Sequence, residues 1–530
     1  DALKTAYGQT KAESIKALLD DLSAKTHTLH LAVDSKQSRD AVVFWFTDWF
    51  RLCQYPSISD KLVESFMTQL FERGFFRDES FAKNFFQVCT ESAVEIFVRQ
   101  RRSPAILSYR SVEAYARLTI QILQWCTRPE VQQTMSSTPR ELLIIALKIM
   151  GIILAQGFDQ SMDYLQKPFS RFIFCFIGFA DEEIAKSKES SSWILDVVAD
   201  FLCSISPLKM PKFSFAWFEA LTHPALFSHL LQAASGQDLL VAAFIDLFDF
   251  LSPIAAQVSF HEPTFVFYKG LLKTFAIILH DKPEFFVSRH VELCAHIPRE
   301  FVQLRNLVLS AVPFGAVLPD PLSPGLKIDT LEGMKSKPEI NMEFIVRTLR
   351  DTSLMGLADE PNSALLQISS ISDQLTDAVI SHAFVAYCGY KVGQNMNDSS
   401  MKSMTLLLCS VLTIANSEIR NELLTAMANH LRYPNCLTYF FSCVLLYSFR
   451  QSEDNEKLSS QLVRVLLERL IVYRPHPWGL MITFMELIRN PEYRFWQQSI
   501  IKSSHEVQKM FETVAKSCLI KIPAAEPAYS

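Results

Sequence analysis

Apolar residues recur along most of this chain every three to four positions, the spacing that places them on one face of an α-helix. After Thr138-Pro139-Arg140-Glu141, the residues Leu142, Ile145, Ile149 and Ile152 fall on such a face. Threonine caps the first free amides, proline occupies the first helical position, and glutamate reaches back to complete the box. The spacing predicts a helix that stops near Gly157. A second runs from about Asp60 to a C-terminal stop at Gly74. A third follows the box Ser503-Ser504-His505-Glu506, with Val507, Met510, Phe511 and Val514 on one face. Phe169 to Ala180, Leu239 to Leu251 and Met404 to Ala415 are apolar on more than one side, as helices flanked by neighbours must be.

Short β-branched runs exist, but the glycine-bearing hairpin turns that would join strands are missing. The pattern therefore predicts an all-α fold, an α-solenoid of degenerate HEAT-like helical repeats. At about 40 residues per helix pair, at most about thirteen would fit. The clearest break is Val312 to Glu339, which concentrates five prolines and three glycines and must be irregular. Polar loops are expected at Asp351 to Ser372 and Gly393 to Ser403. A softer boundary near His280 to Pro283 divides the chain into 1–283 and 284–522, and residues 523–530 read as a frayed tail.

Composition sharpens the picture. Glycine contributes 14 of 530 residues, about a third of its usual share of roughly 7%, which disfavours hairpin-rich folds and phosphate-cradling loops. Hydrophobic residues make up 49%, ample for a packed core. The formal charge of −5 argues against strong binding to a phosphate backbone. Eleven cysteines, an odd number with no C-x-x-C pair, read as reduced thiols of the cytosol or nucleus. No secretory signal opens the chain, and stretches such as Tyr433 to Phe449 fall short of a membrane span. The expectation is a soluble, intracellular piece of a longer chain that starts at Asp1.

Candidate chemistry is sparse. Hydrolase, nucleotide-binding and metalloprotease signatures are missing. His290 and Cys294 share a helical face, with His296 nearby, but a closed zinc site needs four ligands and a packed helix end is the plainer reading. The pairs Glu91/Glu95 and Asp196/Asp200 read as solvated helix faces. Asn397-Asp398-Ser399 fits a glycosylation sequon by chance in a polar loop. Arg99, Arg101 and Arg102 form the strongest basic run, suited to RNA, to an acidic partner, or simply to the negative end of a helix. From Gln461 to Trp496, Leu462, Val465, Leu466, Arg469, Leu470 and Tyr473 mark one helix. Pro475 and Pro477 stop it, and Trp478 opens the next. Arg469, Tyr473, Arg474, His476 and Trp478 thus gather at one corner, either as ordinary packing or as the long amphipathic side chains that anchor interfaces.

The stretch RLIVYRPHPWGL from Arg469 to Leu480, continuing through ELIRNP to Pro491, resembles the C-terminal region of the scaffold-subunit family of the eukaryotic CCR4-NOT deadenylase complexes. QLRNLVLS from Gln303, LPDP from Leu318, NHLRYPN from Asn429 and YFFS from Tyr439 resemble the same region. The resemblance covers about Pro298 to Cys518, whereas Ser336 to Gln374 departs from the family pattern. It implies HEAT-like repeats and a non-catalytic platform that docks the two NOT-box subunits, together with short hydrophobic peptides of mRNA-specific repressors. The consequence would be mRNA deadenylation, decay and translational repression, in cytoplasm and nucleus, with the rest of the scaffold chain as a further partner. No catalytic residue, cofactor or metal is implied. Arg432, Tyr433, Arg469, Tyr473, Arg474, His476 and Trp478 are the expected partner-binding residues. An RNA-binding helical domain and a HEAT-type adaptor of another complex stand as alternatives.

Overall fold

The computed structural model describes residues 35–498, except 56–58, 102–107, 134, 158–165, 187–191, 258–261, 322, 324–325, 327, 329–330 and 453–454. The helix expected over 503–514 and the tail 523–530 lie outside the described residues. Among those described, the regular structure is helical, with no strand. The chain forms two compact units that divide between Pro253 and Ile254.

The first unit contains α1 (Ser35–Leu52), α2 (Asp60–Glu72), α3 (Glu79–Arg101), α4 (Arg110–Trp125), the single turn α5 (Pro129–Gln132), α6 (Pro139–Gly157), α7 (Gln166–Lys186), α8 (Ser192–Ser204), α9 (Ser214–Leu221), α10 (Pro224–Gln232) and α11 (Ala234–Ala255). Helices α1, α3, α6 and α8 are successive neighbours in one layer, with α4, α7 and α9 in the other, the arrangement of stacked helix pairs. The predicted capping box is present: Thr138 N–H donates to Glu141 Oε2 at 2.7 Å, and Glu141 N–H to Thr138 Oγ1 at 3.3 Å. Gly74 ends the α2 segment at φ +80°, a conformation only glycine adopts freely. Within the second layer, Tyr115 of α4 stacks on Phe172 of α7 at 4.8 Å.

The second unit contains α12 (Glu262–Asp281), α13 (Pro283–His296), α14 (Val302–Leu309), α15 (Met342–Leu349), α16 (Leu354–Asp359), α17 (Pro361–Ala364), α18 (Ile368–Gln374), α19 (Ala378–Gln394), α20 (Asp398–Ile414), α21 (Ser417–Ala428), α22 (Cys436–Gln451), α23 (Glu456–Leu470) and α24 (Trp478–Arg489). Helices α19, α21 and α23 form one layer and α20, α22 and α24 the second, while α13, α15 and α16 cover α19. Helix α19 is consequently buried on nearly every side, from Ser381 to Gly393. The position 283/284 is a tight corner between α12 and α13 inside this unit.

Two loop expectations are corrected. Residues 351–372 are not a polar loop but hold α16, α17 and the start of α18. The short turns sink Leu354, Ala358, Ala364 and Ile371, pack Met355, Leu357, Leu365 and Ile368 partly against the core, and leave most of their polar residues to solvent, so composition hides them. The loop at 393–403 shrinks to residues 395–397. Asn397 accepts from Ser400 N–H at 2.7 Å and caps α20, which accounts for the residue type without a glycan. The described residues between Val312 and Glu339 are irregular as expected, apart from 3₁₀ geometry at Ile328 and at Glu332–Lys335.

Helix α24 approaches the Leu431–Arg432 backbone so closely that Gly479 N–H donates to Arg432 O at 2.5 Å. A Cβ at Gly479 would fall 2.5 Å from Thr438 Cγ2 and 2.8 Å from Leu431 C. Gly479→Ala should therefore lower stability by about 1–3 kcal/mol. Gly178→Ala, which meets nothing within 4 Å on α7, should be neutral or stabilising by up to about 1 kcal/mol. Urea unfolding midpoints of the two variants measure the contrast.

Candidate docking corner

The corner between α23 and α24 is built from the end of one helix, two prolines and the start of the next. Pro477, whose ring holds φ at −56°, takes ψ 135° as the residue before α24. The structure separates the seven expected partner-binding residues into two groups. Tyr473, 88% exposed, and Arg474 face solvent, and His476 is half-buried with Nε2 donating to Val472 O at 2.9 Å. Arg432, Tyr433, Arg469 and Trp478 lie in the interior, at 2%, 6%, 3% and 5% exposure. The expectation that these four face a partner is corrected.

Inside, the two guanidinium groups and the Trp478 indole find acceptors for part of their donors. Arg469 donates from Nη2 to Thr425 O at 3.0 Å and to Asn429 Oδ1 at 2.7 Å. Arg432 donates from Nη1 to Val287 O at 3.2 Å and to His290 Nδ1 at 2.9 Å. His290 Nδ1 also lies 3.1 Å from Val287 O, so it faces both a guanidinium donor and a carbonyl acceptor. Tyr433 lies beside the Arg432 guanidinium, 5.3 Å from ring centre to Cζ. Trp478 Nε1 donates to Pro319 O at 2.7 Å, which fastens the irregular connection against the corner.

That connection supplies functional candidates the sequence reading missed. Phe314 is 94% and Val317 84% exposed, with Leu318 also exposed, and Ile471 lies exposed beside Tyr473 in the corner itself. Scattered exposed apolar residues are ordinary, but bulky ones concentrated in a proline-rich segment and an adjoining corner make a candidate interaction surface. The available signal was a run of apolar residues inside a segment too rich in proline to form a helix that could bury them.

The other candidates resolve into packing. His290 and Cys294 are buried on α13, and among the described residues no group of three or more His, Cys, Asp or Glu gathers as metal ligands do. Glu91 pairs with Arg39 at 2.7 Å and Glu95 with Arg99 at 2.5 Å. Asp196 meets His229 Nε2 at 2.8 Å, and burial raises the carboxyl of Asp200. The Arg101 and Arg102 side chains lie outside the described residues. No helix among the described residues is long and apolar enough to cross a membrane.

Three buried histidines, His290, His382 and His430, flank this interior. Burial, then the Arg432 charge, then His382 pulls His430 down to about 3. Burial likewise lowers His290 and His382.

Comparison with known proteins places this geometry. A family model described as "CCR4-Not complex component, Not1" matches residues 176–515, more than half of the chain. The chain is 29% identical over 531 residues to the CCR4-NOT transcription complex subunit let-711 of Caenorhabditis elegans, covering 92% of this chain and 20% of that protein. It is also 29% identical over 536 residues to the general negative regulator of transcription subunit 1 of Schizosaccharomyces pombe, covering 96% and 25%. The chain thus spans about a fifth to a quarter of the length of these relatives. Among solved structures, the NOT1 superfamily homology domain from Chaetomium thermophilum superposes with a TM-score of 0.82 at 23% identity, over 92% of this chain and 100% of that one. A Not1 C-terminal domain in complex with Not4 gives 0.74 at 24% identity, over 90% and 100%.

Two outcomes follow. A histidine whose folded pKa is depressed stays neutral inside while the unfolded chain takes up a proton. Stability is therefore full above about pH 6.5 and falls as pH drops below it. For His430 the loss by pH 5 is about 2 kcal/mol, and His430→Gln should flatten the acid limb of a stability–pH curve followed by urea unfolding. Trp478→Ala should cost about 3–5 kcal/mol and lower the thermal midpoint, whereas Tyr473→Ala should leave it unchanged in a calorimetric scan.

Proposed function

Because the chain belongs to the Not1 family of CCR4-Not complex components, we propose that it is a non-catalytic scaffold domain that docks NOT-box subunits of the complex. The observation that carries the reading is the family match across residues 176–515. The solved Not1 domain of the same fold, held in complex with Not4, supports a partner drawn from the same assembly. In this reading the domain contributes to mRNA deadenylation, decay and translational repression by holding partners, in cytoplasm and nucleus, and needs no cofactor.

The docking surface is the exposed apolar set of Phe314, Val317, Ile471 and Tyr473, with Arg474 beside it. An extended partner segment lays aromatic or aliphatic anchors on such a surface and gives up chain entropy as it orders. Short hydrophobic peptides of mRNA-specific repressors suit the same chemistry. The rigid interior described above keeps the corner in one geometry, which limits the entropy lost on the scaffold side.

The test is co-purification of a NOT-box subunit with this chain. Apolar docking predicts a complex that survives raised salt, since screening weakens charge pairs and leaves apolar burial intact. The double variant Phe314→Asp with Tyr473→Asp should keep the thermal midpoint and lose the partner. Retention of the partner by that variant would move the surface elsewhere, and absence of any complex with the unaltered chain would end the docking reading.

A further inference from the structure

Helix α12 is buried along one side only. Phe267, Leu271, Thr274, Phe275 and Ile278 face inward, and between ring centres Tyr268 meets Phe301 at 4.4 Å and Phe275 meets Phe286 at 5.1 Å. The other side is not the polar face expected of a helix whose only outer neighbour is water. Phe265, Val266 and Ile277 are 47%, 55% and 45% exposed, and no other described helix exposes three large apolar side chains.

The spacing along that side is regular. Val266, Lys269, Lys273, Ala276 and His280 are exposed and recur alternately three and four positions apart, the seam of a helix that packs lengthwise against a second one. Phe265 and Ile277 border it. The middle of the seam is basic, because between Glu262 and Asp281 the only Lys, Arg, Asp or Glu residues of α12 are Lys269 and Lys273. Lys269 Nζ leans over the Phe265 ring, 4.3 Å from its centre. Neither lysine has an ion-pair partner among the described residues. These features select the occupant. A second copy of α12 would set lysine against lysine whether the pair ran parallel or antiparallel, and like charges in a packed seam repel. Helices that lie on anionic membranes are rich in Lys and Arg, and this one has two. A helix with carboxylates opposite both lysines satisfies charge and apolar surface together.

We propose that the exposed side of α12 receives one amphipathic helix of a partner protein, with two acidic residues a turn apart opposite Lys269 and Lys273 and apolar residues on either side covering Val266 and Ile277. The apolar contacts supply affinity, and the central charges fix register and direction, as polar residues within helix seams do. This surface lies on a different element from the corner of Phe314 and Tyr473 and does not depend on that reading.

The experiment is fluorescence anisotropy with the full 530-residue chain and two labelled synthetic helical peptides. One carries a pair of glutamates a turn apart, flanked by leucines, and its twin carries lysines in place of the glutamates. The acidic peptide should bind and its twin should bind about tenfold or more weakly, with the difference shrinking in high salt. The charge swap Lys269→Glu with Lys273→Glu should invert the preference. Val266→Ser should weaken the acidic peptide by about tenfold. All three side chains are exposed, so the thermal midpoints should stay where they are. Equal binding of the two peptides, binding of neither, or a preference that the charge swap leaves in place would overturn the proposal. So would loss, on the charge swap, of attachment to phosphatidylserine–phosphatidylcholine vesicles or of self-association in sedimentation, which would assign the face to a membrane or to a second copy.

Discussion

Buried guanidinium groups closing the carboxyl ends of helices are the interaction on which the second unit depends. The last four carbonyls of any helix lack intrahelical donors and carry the negative end of its dipole. Here Arg305 closes the end of α13 at Ile297 O. Arg420 closes α20 at Leu412 O, 2.8 Å, and Ala415 O, 2.6 Å. Arg469 closes α21 at Thr425 O. A buried charge is costly unless its donors are met; oxygens meet those of Arg420, while Arg305 Nε and Arg469 Nη1 stay unpartnered among the described residues. Each arginine reaches from one element to the end of another or across a short turn, so the bonds fix where successive helices stop and how the chain leaves them.

Much of the helical framework was readable in advance because it rests on local rules. Thr138, Pro139 and Glu141 start α6, Gly74 closes the α2 segment, and Pro475 and Pro477 separate α23 from α24 wherever the rest of the chain goes. The interior was less readable. Helix α19 (AVISHAFVAYCGYKVGQ) is apolar all round, so periodicity assigns it no face, and only its coverage by α13, α15, α16, α21 and α22 explains that.

The docking corner shows the same limit from the other side. Arg432, Tyr433, Arg469 and Trp478 have the composition of interface anchors, and an arginine in a pattern reads as surface. Whether a guanidinium turns outward to water or inward to a helix end is decided by carbonyls more than a hundred residues away in sequence, as with Arg432 and Val287. Tyr473 and Arg474, between the end of α23 and Pro475, have no helix face to retreat into and stay outside.

The bonds that close this unit are long in sequence. Asn306 Nδ2 reaches Arg469 O across 163 residues, Trp478 reaches Pro319 O across 159, and Arg432 reaches Val287 O across 145. At synthesis speeds of about 5–20 residues per second, the partner of Asn306 leaves the ribosome roughly ten to thirty seconds after it. For that interval Asn306 Nδ2 and Val287 O lack these distant partners. These bonds can therefore form only once the last helices have been made, unlike the contacts of a solenoid confined to neighbours.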